Sequence, residues 1–197
     1  SDEAKARKMC DDASFFNKEA IYYPAKDAIF YSADVHGNQI TGERLRCISR
    51  IINHSSTGEG VLTVVTTMDG IADRLIPVER FKEAVITLDY SSEIEPEKLA
   101  KKLVAMGFVR TGMVEDKGQF AIRGGIIDIF SYTDEAPVRI ELWDTEVDSI
   151  RMFDVESQRS IERLQSYSIF PATEYIFTED ELKNGLYNIK KECDRQL

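Results

Sequence analysis

One stretch constrains the fold more than any other: from Gly118 to Trp143 the sequence reads GQFAIRGGIIDIFSYTDEAPVRIELW, and apolar and polar residues alternate along it. Successive side chains of a β-strand point to opposite faces of a sheet, so this alternation predicts strands with one buried face. Gly124-Gly125 separates two such runs and predicts a two-residue hairpin turn. The residues expected on the buried face of this hairpin are Phe120, Ile122, Ile127 and Ile129.

The opposite, outer face of the predicted sheet carries polar side chains. The hairpin register places Arg123 opposite Ile126. It also places Ala121 opposite Asp128. The alternation continues in the next run, whose inward residues are Val138, Ile140 and Leu142. The outward residues of that run are Arg139, Glu141 and Trp143.

The outward arginines and the aromatic residue predict a binding surface. Trp143 is the only tryptophan of the chain, and Trp and Arg are enriched at interface hot spots. The alternative is a solvated sheet surface with incidental cross-strand ion pairs, each worth roughly 0.2–1 kcal/mol. A helix or loop that covers Trp143 is a further alternative that the sequence leaves open.

Patterns for catalysis or metal binding are weak. Asp128 and Glu141 could form an acid/base pair on the outer face, but a nearby arginine favours the ionised carboxylate and opposes proton transfer. His36 and His54 have no second histidine or cysteine at metal-ligand spacing. The phosphate-binding pattern G-x-x-x-x-G-K-S/T does not occur. We therefore predict no catalytic residue, metal site or cofactor within this chain.

Composition bounds the class of protein. The 197 residues suffice for one large or two small domains, and 43% hydrophobic residues allow packed cores. The formal charge of −10 argues against nonspecific nucleic-acid binding, which needs clustered Lys and Arg. Three widely spaced cysteines indicate neither a disulfide framework nor a zinc site. Because no apolar run is long enough to span a membrane, we expect a cytoplasmic protein.

The first part of the chain, residues 1–90, has the order of an α/β layer with parallel strands. The predicted elements are a helix at 3–17, a strand at 20–23, an apolar run at 28–31, a loop at 32–39, a helix from Thr41, a strand at 61–65, a short helix at 69–75 and a strand at 85–90. Thr41 is the expected N-cap of its helix. The strand at 61–65 is almost continuously apolar, which predicts burial on both sides.

The pattern changes at residue 91 to that of an antiparallel meander with one helix. Pro96 suits the first position of this helix and Gly107 suits the residue after its end. The predicted strands are 108–114, 118–123, 126–132, 137–143 and 146–153, the last with a β-bulge between Val147 and Ile150. Residues 160–177 are expected to return to the first domain, and a final helix should begin with a capping box at Thr178 and Glu181.

A resemblance to a known family rests on these residues. The chain is similar in order and spacing to the N-terminal module of the bacterial transcription-repair coupling factors (Mfd), which are related to the excision-repair helicase subunit UvrB. The strings that carry the resemblance are GQFAIRGGIIDIF, PVRIELW, EVDSIRMFDVESQRSIE and LVAMGFVR, and more loosely IYYPAKDAIFY, ITGERL and VVTT. The resemblance implies a degenerate helicase-like parallel-sheet domain at 1–90, an inserted UvrA-docking α+β domain at 91–157, and a return to the first domain at 158–197.

The resemblance also implies the partner-binding residues. The family contacts UvrA through the arginine of the R-G turn, the arginine and acid of the R-x-E strand, and the aromatic residue two positions later. The matching residues here, with a further arginine in GFVR, are Arg123, Arg139, Glu141, Trp143 and Arg110. Asp128 and Glu141 would then orient the arginines. UvrB relatives carry a second arginine at the position of Ala121, and their usual Phe-Gly-Asp-Glu turn is Trp-Asp-Thr-Glu here.

The function implied is that of a non-catalytic adaptor that links stalled RNA polymerase to nucleotide excision repair. The chain leaves no room for the long aromatic hairpin with which UvrB engages DNA, so we expect neither ATP hydrolysis nor strand separation. In the family, the ATP-driven DNA translocase and the RNA-polymerase contact lie further C-terminal, so we expect a fragment whose docking face a C-terminal domain could mask. The alternatives are a fragment of an ATP-dependent, DNA-binding UvrB-like helicase and a purely structural packing domain.

Overall fold

The fold is mixed, with six helices and ten strands among the residues that the computed structural model describes, which are 2–26, 35–58, 60–73 and 75–196. The helices are Asp2–Phe16 (α1), Val35–Thr57 (α2), Met68–Ala72 (α3), Val78–Ala84 (α4), Pro96–Ala105 (α5) and Glu179–Gln196 (α6). The strands are Ala20–Tyr23 (β1), Thr63–Thr66 (β2), Ile86–Asp89 (β3), Val109–Arg110 (β4), Gln119–Arg123 (β5), Ile126–Phe130 (β6), Val138–Trp143 (β7), Glu146–Phe153 (β8), Ser160–Arg163 (β9) and Ser166–Ile169 (β10).

The N-terminal part contains a parallel pair, as its sequence order predicts, since β1 and β2 are parallel neighbours. Three other predictions for this part are wrong. Helix α2 already begins at Val35, so Thr41 is an interior residue and not the N-cap, and the predicted loop at 32–39 is helical from residue 35. Strand β2 is not buried on both sides, because Val64 is 40% exposed. The apolar run predicted at 28–31 lies outside the described residues.

The central part is a six-stranded sheet in the order β4-β5-β6-β7-β8-β9. Its strands are antiparallel except for β4, which is parallel to β5, so the predicted all-antiparallel meander is wrong at this edge. The hairpin register is confirmed: Arg123 pairs with Ile126. Gly124 has a left-handed φ of 61°, and a Cβ on Gly125 would lie 2.9 Å from the Leu142 carbonyl oxygen, which explains why both turn residues are glycine.

The predicted β-bulge in β8 is also confirmed. Glu141 pairs with Ser149 and the next residue, Leu142, pairs with Val147, which leaves Asp148 without a partner on β7. A single extra residue restores Val147 to the buried face and keeps Ile150 there as well.

Helix α5 covers one face of this sheet and forms the main core with it. The helix begins with Pro96 at its first turn, and Gly107 follows its end with a left-handed φ of 89°, both as predicted. The apolar face of the helix buries Leu99, Ala100 and Leu103 against the sheet. Truncation of a fully buried leucine in such a core typically costs about 2–5 kcal/mol, so α5 fixes the sheet from one side.

The segment after β8 extends the sheet and then leaves it. Strand β9 is the sheet edge, whereas β10 pairs antiparallel with β3 and so brings residues 166–169 back beside the chain that precedes the sheet. Phe170 then packs against Leu45 of α2. The predicted capping box is confirmed, because the Glu181 amide donates to Thr178 Oγ1 at 3.2 Å. The domain boundaries at 90 and 157 stay a prediction.

A buried ion cluster ties α2 to the segment that follows β10. Arg44, whose side chain is 1% exposed, donates from Nε and Nη2 to the two carboxylate oxygens of Glu174 at 2.6 and 3.0 Å. Its Nη1 donates to the Pro24 carbonyl and to Asp73 at 2.7 and 3.1 Å. Burial disfavours a charged Arg44, but the hydrogen bonds and charge of Glu174 outweigh burial and raise the arginine pKa.

None of the described helices combines enough length with enough apolar residues to cross a lipid bilayer.

Candidate partner-binding face

The outer face is the side of strands β5–β9 that lies away from α5 and carries Arg123, Arg139, Glu141 and Trp143. The strand register generates it directly. Asp128 of β6 pairs with Arg139 of β7, and Arg139 pairs in turn with Arg151 of β8. In the neighbouring row, Ile126 lies between Arg123 and Glu141. Four of the five predicted site residues therefore share one face.

Asp128 is the centre of this face. Its side chain is 1% exposed, and its carboxylate accepts a hydrogen bond from Arg123 Nη2 at 2.5 Å. Arg139 approaches the same carboxylate with two donors, Nε at 2.7 Å and Nη2 at 2.9 Å. The hydrogen bonds between a buried carboxylate and two arginines are charge-assisted and have a defined geometry, so they hold both guanidinium groups in place. The predicted role of Asp128 as an orienting residue agrees with these contacts.

Arg123 and Arg139 differ in the number of guanidinium nitrogens that remain free to donate to a partner. The Arg139 side chain is 16% exposed; its guanidinium lies 4.3 Å from the centroid of the Phe153 ring, and its Nη2 also donates to Gln158 Oε1 at 2.8 Å. Only Nη1 of Arg139 has no acceptor among the described residues. Arg123 is 43% exposed and uses Nη2 alone. Arg123 can thus offer a two-nitrogen fork to a partner, whereas Arg139 can offer a single nitrogen.

The hydrogen bonds to Asp128 raise the pKa of Arg139, and they do so against partial burial, which lowers it. The guanidinium is therefore charged at every physiological pH.

The acceptor of Arg139, Gln158, has a left-handed φ of 58°, which is uncommon for a residue other than glycine. The turn that holds Gln158 is closed by a hydrogen bond from the Gln158 amide to the Asp154 carbonyl at 2.8 Å. Backbone strain of this kind persists where surrounding contacts enforce it.

Glu141 has a different partner from the one expected. The family resemblance predicts that Glu141 is a charge partner of Arg123 and Arg139. In the structure, Glu141 forms its ion pair with Arg151 and accepts a hydrogen bond from Ser149 Oγ at 2.9 Å. Partial burial raises the pKa of Glu141, but the bonds from Ser149 and Arg151 outweigh burial and leave the pKa below its usual value. Such a carboxylate is ionised near neutral pH and does not act as a general acid there.

Trp143 ends β7 and is 80% exposed. It pairs with Glu146 across a two-residue turn in which Asp144 takes a left-handed φ of 56°. Asp tolerates this conformation better than most residues, so the turn closes without a glycine. No described segment covers the indole ring, and a large apolar side chain is thus presented at the end of the charged face.

Arg110 lies apart from the other four predicted residues. It pairs with Phe120 across the parallel strands β4 and β5, and the Phe120 side chain is buried on the side that α5 covers. Arg110 accordingly meets Glu97 of α5, at 3.0 and 3.3 Å. Its assignment as a partner-binding residue stays a prediction, and its geometry is that of an exposed helix-to-strand ion pair.

Three residues of the outer face were missed from sequence: Arg151, Phe153 and Gln158. The signal for the first two was present, because the β-bulge reverses the strand phase at residue 148 and leaves Arg151 and Phe153 outward. Gln158 carries no such signal, since its position depends on the turn between β8 and β9. Among the described residues, no cluster of His, Cys, Asp or Glu has the geometry of a metal site.

Known proteins with similar sequences match this part of the chain and most of the remainder. The profile of the UvrB interaction domain family matches residues 86–175, which contain the whole six-stranded sheet and α5. The chain is also 40% identical over 187 residues to the transcription-repair-coupling factor of Bacillus subtilis (strain 168), which covers 94% of the chain. It is 36% identical over 195 residues to that of Staphylococcus aureus (strain Mu50 / ATCC 700699), covering 95% of the chain.

The similarity extends beyond the interaction domain to nearly all of the chain, including α1, β1 and α2. The chain spans 16% of the length of each of these coupling factors.

Proposed function

We propose that this chain is a non-catalytic adaptor that binds UvrA through the outer face, as part of the coupling between stalled RNA polymerase and nucleotide excision repair. One observation carries the proposal. The buried carboxylate of Asp128 fixes two arginines in a sheet face that ends in the exposed Trp143. Two arginines beside one large exposed aromatic side chain have the composition of an interface hot spot. The match to the UvrB interaction domain and to coupling factors supports the choice of UvrA.

The four residues would contribute in different ways. Arg123 presents free guanidinium nitrogens and can bind a partner carboxylate with two hydrogen bonds. Arg139 is held by Asp128, Gln158 and Phe153, so it can add one charge-assisted bond without losing further side-chain freedom on binding. Trp143 supplies apolar area. Glu141 is held ionised by Arg151 and can accept from a donor on the partner.

The remaining features of the proposed adaptor follow from the family. The N-terminal parallel strands would be the remnant of a helicase-like domain that needs no nucleotide, so the chain would bind no cofactor of its own. ATP-driven DNA translocation and contact with RNA polymerase would belong to other domains of the coupling factor. A C-terminal domain of that protein would mask the outer face until repair is required, because an exposed hot spot otherwise binds UvrA constitutively.

The experiment is a calorimetric titration in which the chain is added to purified UvrA and the dissociation constant is measured. Removal of a hot-spot side chain typically costs about 2–4 kcal/mol of binding, so Arg139→Ala should weaken affinity about 30- to 700-fold. Arg50→Ala is the matched control, because Arg50 is an exposed arginine on α2 away from the outer face. Equal affinities of the two variants would remove the outer face from the interface.

A parallel measurement of ATP turnover and DNA binding by the same preparation separates the adaptor from an active UvrB-like helicase. We expect no turnover above background. Clear ATPase activity would overturn the proposed function, whatever the result with UvrA.

A further inference from the structure

A row of three arginines crosses the outer face beyond the residues discussed above. Arg139 of β7 pairs with Arg151 of β8, and Arg151 pairs with Arg163 of β9. Directly paired residues of neighbouring strands point to the same face, and neighbouring strands lie about 4.8 Å apart. The three guanidinium groups therefore span the face from its centre to its edge over about 10 Å.

This arrangement is unfavourable for the isolated fold. Like charges directly opposite one another in an antiparallel sheet destabilise it. The two inner arginines are compensated, since Arg139 binds Asp128 and Arg151 binds Glu141. The Arg163 side chain is exposed and has no ion pair or hydrogen bond among the described residues. Arg151 in addition keeps a buried Nε without an acceptor in the described part of the chain.

The positive row also contrasts with the rest of the molecule. The chain has a formal charge of −10, so a strip that pairs arginines across three strands is a local exception. Its outer end is open, because all four residues of the edge strand β9 are exposed. A surface that keeps like charges together at a cost to the fold, within an acidic chain, has the charge pattern of a site for an acidic ligand.

We propose that Arg163 is a further partner-binding residue and that the row formed with Arg139 and Arg151 docks against carboxylates on the protein partner. The inference rests on the proposed function and names the partner's chemistry at this site: an acidic patch facing the edge of the sheet. Arg163 makes the contact at the edge. Arg151 remains bound to Glu141 and lies between the two ends of the row.

The proposal extends the interface in a defined direction. Trp143 and Arg123 lie toward one end of the strands, whereas Arg163 lies two strands from Arg139, across the sheet. Contact with all of them requires a partner surface that covers β5 through β9. An acidic patch opposite Arg163 would also accelerate encounter, because rim charges act mainly on the association rate and on its salt dependence.

The test is the affinity of purified UvrA for Arg163→Glu, measured at two ionic strengths. Reversal replaces an attraction by a repulsion at an exposed site, so we expect affinity about 5- to 20-fold weaker at low salt, and a smaller difference at high salt. The matched control is Arg50→Glu, which makes the same change of net charge on α2. Because Arg163 has no partner in the fold, its replacement should leave thermal stability unchanged or slightly raise it.

The outcomes separate this inference from the proposed function. If Arg139→Ala abolishes binding while Arg163→Glu binds as the wild type does, the edge of the sheet is outside the interface and this inference is wrong, although the adaptor function stands. If Arg163→Glu and Arg50→Glu weaken binding equally, the effect comes from net charge and the inference is again wrong. If the wild-type chain fails to bind UvrA, the proposed function fails first.

Discussion

Two clusters in this molecule use the same chemistry in opposite orientations. In the first, the arginine itself lies in the interior: the Arg44 side chain is 1% exposed, and its donors are directed at Glu174, which is also buried, at Asp73 and at a backbone carbonyl. In the second, Asp128 is the buried member, and the guanidinium groups bound to it reach the surface. The first cluster joins residues 130 positions apart, whereas the second joins neighbouring strands, with Arg123 and Arg139 within 11 residues of Asp128. Only the second presents arginine charge to solvent.

Whether the arginine or only the carboxylate lies in the interior decides whether such a cluster can bind a partner. The N–H groups of a buried arginine are occupied by acceptors within the protein. Such an arginine can stabilise the fold but has no donor left for a binding partner. A buried carboxylate instead holds arginines whose remaining N–H groups point outward, and the side chains are ordered before a partner arrives. Ordered side chains lose less entropy on binding, which increases the affinity gained per contact.

The largest effect should come from breaking the first cluster. Arg44→Ala removes the bidentate partner of the buried Glu174 and leaves only Lys26, at 3.1 Å, as its cation, so the loss should lie at the lower end of the about 3–5 kcal/mol typical of breaking a buried ion pair. Urea unfolding should show this loss. The affinity of the remaining folded protein for UvrA should be unchanged, because Arg44 is not on the outer face.

The control for this variant is Arg44→Met combined with Glu174→Leu. Replacing both members by apolar side chains of similar size avoids the uncompensated charge, so most of the stability should return. If Arg44→Ala were as stable as the wild type, the cluster would not hold α2 to the segment after β10. If it lost UvrA affinity while folded, the division between the two clusters would be wrong.

A smaller effect on stability, combined with an effect on binding, is expected at the second cluster. Asp128→Asn keeps the shape of the side chain but replaces a charged acceptor by an amide that turns one donor toward the arginines. We expect a loss of about 1–3 kcal/mol in unfolding free energy. The affinity for UvrA should fall about tenfold, because Arg123 and Arg139 lose their fixed positions.

Calorimetry and unfolding of the same preparation check both effects of Asp128→Asn. An affinity equal to that of the wild type, with the stability reduced, would show that the arginines need no orientation by Asp128. The two clusters would then both be structural, and the comparison between them would carry no functional meaning.

The outer face could be predicted in large part from sequence because it depends on strand phase. Alternation fixed the hairpin register and placed Arg139, Glu141 and Trp143 outward, and the phase reversal indicated the bulge in β8. The partner of Glu141 could not be predicted with the same certainty. Pairing between β7 and β8 after a bulge decides whether a carboxylate meets Arg151 or Arg139, and sequence spacing alone does not define that register.

The N-terminal part was predicted less well for a related physical reason. Helix α2 includes residues before Thr41 that have weak helical preference and a glycine, so local propensity indicated a loop. Strand β2 was expected to be buried because valines are frequent in covered strands, yet Val64 is 40% exposed. The contact between Arg44 and Glu174, 130 residues apart, has no local signal at all.

The central claim, that the outer face binds UvrA, is tested most directly at Trp143. This side chain is 80% exposed, so Trp143→Ala should change the unfolding free energy by no more than about 0.5 kcal/mol. Phe16→Ala is the matched control, since Phe16 is an 88% exposed aromatic residue on α1. Calorimetric titration of UvrA should show at least about 30-fold weaker binding for Trp143→Ala and unchanged binding for Phe16→Ala. Wild-type affinity of the Trp143→Ala chain would contradict the account.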